Sequence, residues 1–199
     1  MNTSMAHIAA AALEQGPHTP SDTASTAHRH PLDLRVGPVA VDVWTDGRLG
    51  FVLLLHRRDD GFAASEIYYS LKGEDQRWML PEHLSGEIVG FDPEDPSVMA
   101  EILSGAALTV LSESDSRVFT GTGEDDDELV RVYELLVSER VDRIRIENRS
   151  RTDPQERAAP PMAVVVVRPG EPLRVSPVLR DGVESAPTDG SLTLFPAKE

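Results

Sequence analysis

The chain has 199 residues and a formal charge of −15 at pH 7, from 34 acidic and 19 basic side chains. That length means one ordinary domain, or a domain with a tail, and is enough to bury a sizeable core. The absence of cysteine excludes disulfides, thiolate metal sites and cysteine nucleophiles. The acidic balance argues against binding a phosphate backbone, which needs clustered Lys and Arg.

Residues 1–31 read as a flexible N-terminal tail and linker, followed by a single domain over 32–199. The run Ile8-Ala9-Ala10-Ala11-Ala12-Leu13 has no basic segment before it, unlike a secretory signal. No stretch reaches the roughly 20 apolar residues of a membrane span. Cytoplasmic residence, with no membrane and no nucleic acid as partner, is the expectation. Met5–Gln15 holds good helix formers but is too short to be a stable helix alone in water. It reads as a frayed helix or disorder, or as a docking peptide anchored by Met5, Ile8 and Leu13. Between Gly16 and Pro31 there is almost no large apolar side chain to drive ordering.

From Leu32 onward the pattern is strand after strand. Val39–Thr45, Asp46-Gly47 and Arg48–Arg57 form the best hairpin signal, with Asp-Gly as a two-residue turn pairing Val43 with Gly50 and Val41 with Val52. One face would carry Trp44, Leu49, Phe51, Leu53 and Leu55, interrupted by Asp42. Residues 49–55 are apolar on both faces, so they predict a central strand covered on both sides. Phe62–Leu71 follows as a second hairpin arm, then short strands at Gln76–Leu80 and Glu87–Phe91. Asp95 as cap, Pro96 at the first position and Gly105 as terminator predict a helix over 95–104. Further strands are expected at Ala107–Leu111, Arg117–Thr120, 129–137, Val141–Glu147, Met162–Val167, Leu173–Leu179 and Leu192–Phe195. Residues 129–137 also fit a helix, whose first turn would be the preceding acids; Val and Tyr content favours the strand. The fold class is therefore all-β: an antiparallel β-sandwich or flattened barrel of about ten short strands with one short helix.

Residues 82–128 hold thirteen acids against the single base Arg117, and so carry most of the net charge. The run Glu124, Asp125, Asp126, Asp127, Glu128 reads as a solvated loop or a docking surface for a basic partner. It lacks the spacing of a calcium loop. Arg143, Arg145 and Arg149 belong to an Arg-bearing sheet over 140–157, able to engage carboxylates but only +2 in net charge. His56, Tyr68, Tyr69, Trp78 and His83 are the candidates for an aromatic-lined ligand pocket; on a strand Tyr68 and Tyr69 must point to opposite faces. Ser85 lacks a nucleophile elbow, and no catalytic, cofactor or metal motif is present. Two functions are expected in order. The first is a non-catalytic accessory, adaptor or assembly subunit that binds another protein, possibly a second copy of itself. The alternative is a small-molecule-binding β-barrel or small enzyme.

Overall fold

The computed structural model describes residues 2–17, 32–121, 127–148, 154–170, 172–180 and 190–198. Alternating side chains and tight turns build three antiparallel sheets. The first has the order β1-β2-β3-β4, from β1 (Val39–Asp46), β2 (Leu49–Arg57), β3 (Ala63–Leu71) and β4 (Glu82–Ile88). The second is β5-β6-β9, from β5 (Leu108–Phe119), β6 (Asp127–Val137) and β9 (Met162–Val167). The third is β11-β10-β7-β8, from β7 (Val141–Asn148), β8 (Gln155–Ala158), β10 (Leu173–Leu179) and β11 (Leu192–Leu194). The all-β sandwich expected from the pattern is the architecture found.

One continuous apolar core joins all three sheets. It takes Phe51, Leu53 and Leu55 from β2, Leu135 and Leu136 from β6, Val164 to Val167 from β9, Ile144 and Ile146 from β7, and Val175 from β10. All six residues of β9 are buried, so both of its faces are covered, as an unbroken apolar run requires. β1 runs alongside β9, and β3 stands across the core from β6, where the Ser65 hydroxyl donates to Glu134 at 3.2 Å.

Local chemistry corrects several expectations. The first hairpin turns on Gly47-Arg48 instead of Asp46-Gly47, with Gly47 at φ +62°. Asp46 stays in the ladder opposite Leu49, so Val43 pairs with Val52, and a bulge at Val41 shifts the outer register by one residue, to Ala40 with Leu54 and Val39 with Leu55. Gln76–Leu80 is not a strand; only Lys72 and Trp78 bridge there. The next strand begins earlier than expected, at Glu82. The two strands expected within 107–120 are one twelve-residue edge strand, because Ser112 to Ser116 pair with β6 despite their polarity. β8 went unread, being only four residues of mixed polarity.

The second helix, α2 (Pro96–Leu103), follows its signals: Asp95 accepts from the Ser97 amide at 2.9 Å, and Ser104 closes it at φ +48°. The other helix, α1 (Asn2–Gln15), is a correction to the reading of that segment as frayed. It lies on the outer face of the first sheet, where Met5, Ala9, Ala12 and Leu13 pack with Val43, Val52, Leu54 and Tyr68. Packing supplies what an isolated helix of this length lacks. It is also the second cover that the two-sided β2 demanded.

Candidate functional site

The outer face of the first sheet gathers most of the chemically versatile side chains. Cross-strand pairing places Val43, Val52, Tyr68 and His83 in one row, and Leu54, Glu66 and Gly86 in the next. α1 fills the middle of this face, so Tyr68 is buried beneath apolar side chains. At the C-terminal end of α1 the Trp78 indole N–H donates to the Leu13 carbonyl at 3.0 Å, satisfying one of the orphan acceptors of a helix end. The Lys72 ammonium lies 4.7 Å from the Trp78 ring centroid, which puts a cation beside the negative pole of a helix with no base in its own last turn. Gly50 leaves the seat for Leu13: a Cβ there would stand 2.5 Å from Leu13 Cδ2 and 2.8 Å from the Trp78 ring.

Beyond α1, three strands bring together His56, Glu66 and His83. Glu66 Oε1 lies 3.3 Å from His56 Nε2, and Glu66 Oε2 lies 2.6 Å from His83 Nε2. An ionised carboxylate only accepts, so both imidazoles present Nε2–H to it. The geometry depends on Gly86, opposite Glu66, because a Cβ at that position would come within 2.2 Å of Oε2. The His83 and Tyr68 rings meet edge to face at 5.3 Å between centroids. With both Nε2 atoms committed to one carboxylate, the trio ties β2, β3 and β4 together. Among the described residues no group of three or more His, Asp or Glu side chains could hold a metal ion. Ser85 pairs with Ile67 and so faces the core side, away from His83, which rules out a Ser–His arrangement there.

Of the expected pocket residues, His56, Tyr68, Trp78 and His83 thus share one face. Tyr69 does not: it points inward, its ring tilted by 31° against Phe51 at 6.3 Å between centroids, and it donates to Glu82 at 3.2 Å. Open cavities occur elsewhere, one of about 300 Å³ between α2 and the β6–β7 turn, lined by Met99, Leu103, Val137 and Arg140.

Two interior polar groups escaped the sequence reading of sites. Asp42, noted only as an interruption, is buried against the equally buried Arg157, with both carboxylate oxygens 2.6 Å from Arg157 Nη1. Asp42 Oδ2 also accepts from the Val164 amide at 2.7 Å, and Arg157 Nη2 donates to the Val164 carbonyl at 2.8 Å. The pair therefore stands in for a neighbouring strand along the edge of β9 that faces away from β6. Burial pushes the Asp42 carboxyl up, against the opposing pull of Arg157 and the Val164 amide. The second group is Glu134, only 5% exposed, whose carboxyl is pushed up to about 7 by burial and then by the nearby Glu87 charge, while Ser65 and Ser112 pull it down. A single Asp or Glu inside an apolar strand was the available signal for both.

The expected partner-binding residues are largely occupied internally. Arg143 and Arg145 both bind Glu156 at 2.8 Å, and Glu128 forms a two-pronged pair with Arg168 at 2.6 Å. Asp115 holds Arg131 in the same two-pronged way. Asp127 is exposed at the start of β6, so the end of the acidic run is strand, not loop. Glu124, Asp125, Asp126 and Arg149 lie outside the described residues. The acids left over include Glu87 and Glu113, both exposed. No described helix is long and apolar enough to cross a membrane. Comparison with protein families, with curated proteins and with solved structures finds no match for this chain.

Proposed function

We propose that the chain is a non-catalytic, protein-binding accessory or assembly subunit that receives an extended basic segment of another protein along the edge of β4. The observation that carries this reading is the state of that edge. Among the described residues β4 pairs on one side only, with β3, and none of its own residues is buried. An uncovered edge offers unpaired N–H and C=O groups to an added strand, and proteins normally blunt such edges. Here the edge is acidic, with Glu82 and Glu87 exposed; exposed Met79 and Leu80 precede it and exposed Ile88 ends it. Charge and apolar contacts on one strand suit a segment that alternates Lys or Arg with aliphatic residues. The Arg-bearing sheet over 140–157 is less available, since Glu156 engages both Arg143 and Arg145 and Asp142 also pairs with Arg143. A cytoplasmic setting fits a chain without cysteine.

The test is amide chemical-shift mapping with an alternating Lys-Val peptide as probe. Shifts should centre on β4, weaken as salt rises from 50 to 300 mM, and vanish in Glu82→Lys/Glu87→Lys. Shifts that centre elsewhere, or persist in the charge-reversed protein, overturn the reading.

A further inference from the structure

The contact between α1 and the sheet has the build of a receptor and its ligand. Its apolar residues form a cluster separate from the main core, so this contact is an interface of its own and not part of the sandwich interior. The sheet side contributes specific fittings: the Gly50 seat for Leu13, the Trp78 donor aimed at the Leu13 carbonyl, and Lys72 over the Trp78 ring. Residues 18–31 connect the helix to the sandwich without one large aliphatic side chain. Fourteen residues reach up to about 50 Å when extended, whereas a 199-residue domain has a radius of gyration of roughly 16 Å. The chain is thus long enough to place α1 on a neighbouring molecule. A helix that crosses over makes the same contacts there, and the reciprocal exchange is self-complementary.

We propose that the outer face of the first sheet is a docking site for α1 of a second copy, so that two chains form a helix-exchanged dimer. In dilute solution the tether keeps the chain's own helix at high effective concentration and favours the closed monomer. Exchange becomes favourable when the chains are concentrated or held side by side.

Two full-length variants test this by complementation. Leu13→Asp carries a helix that cannot seat but leaves the receptor intact, whereas Gly50→Leu fills the seat but leaves the helix intact. Each alone should be a monomer in which the Trp78 indole N–H resonance has lost its hydrogen-bonded position. A 1:1 mixture at 0.2–0.5 mM should give a heterodimer by light scattering and restore that resonance in the Leu13→Asp chains. A mixture that stays monomeric with the resonance unrestored overturns the proposal. If Gly50→Leu fails to fold, the wild-type chain replaces it, with the indole of isotope-labelled Leu13→Asp as the readout. Restoration by unlabelled wild type supports exchange, and its absence up to 1 mM refutes it.

Discussion

Glu134 makes stability depend on pH in a direction opposite to that of the surface acids. Its folded-state value of about 7 stands above the ordinary 4.5 because burial and Glu87 disfavour the charge. Between those values the folded chain holds a proton that the unfolded chain has released. The group's contribution is therefore complete below pH 4.5 and is lost as pH rises through 7. A shift of about 2.5 units corresponds to about 3 kcal/mol at 1.36 kcal/mol per unit. Asp95 and Asp115, held below their usual values by Ser97 and by Arg131, act the other way, losing stability as pH falls through their range. Comparing Glu134→Gln with the parent cancels those other groups. The amide keeps the shape and a hydrogen bond to Ser65 but carries no charge at any pH. Relative to the parent, Glu134→Gln should gain about 3 kcal/mol between pH 4.5 and pH 8. With a urea m-value of about 2 kcal/mol per molar, the midpoint difference should move by roughly 1.5 M. In melting temperature the change is about 6–12 °C for a chain of this size. Glu87→Gln should produce a smaller change of the same sign. A stability difference between Glu134→Gln and the parent that does not vary with pH would refute the assignment.

Asp42→Asn should cost about 3–5 kcal/mol in urea unfolding, because it leaves Arg157 buried without its counter-charge. Asp42→Leu/Arg157→Met should recover most of that loss, and equal losses in the single and double variants would show that the pair does not act as one unit. Asp95→Ala should cost about 1 kcal/mol by removing the cap of α2, with amide exchange quickening in 96–103; unchanged exchange there would count against the cap. Gly86→Ala should drive the Glu66 carboxylate off its seat, and imidazole nitrogen NMR should then report loss of the His83 Nε2 hydrogen bond, which an undisturbed spectrum would disprove.

Much of the candidate site was legible at the level of single residues but not as an arrangement. Tyr68 and Tyr69 had to diverge because successive strand residues point to opposite faces, and they do. That His56, Tyr68 and His83 share a face with Trp78 depended on register between four segments. Pairing register is a long-range property, which a bulge such as the one at Val41 shifts without any distinctive local residue. The acidic run and the Arg-bearing sheet were visible as charge, yet their internal partners Arg168 and Glu156 came from distant strands.

Composition and periodicity were enough, by themselves, to specify an all-β sandwich, a capped helix within 95–104, the doubly covered strand 49–55 and the buried run 162–167. These follow from side-chain alternation, turn stereochemistry and capping, which act within a few residues. Tertiary structure alone decided the rest. It supplied a sheet face that turns Met5–Leu13 from a helix too short to stand in water into the cover of β2. It also brought Asp42 to Arg157 across 115 residues of chain, so that an interruption in an apolar strand became the closure of another strand's edge. Both outcomes rest on desolvation, and desolvation is set by neighbours that the chain supplies only once it has folded.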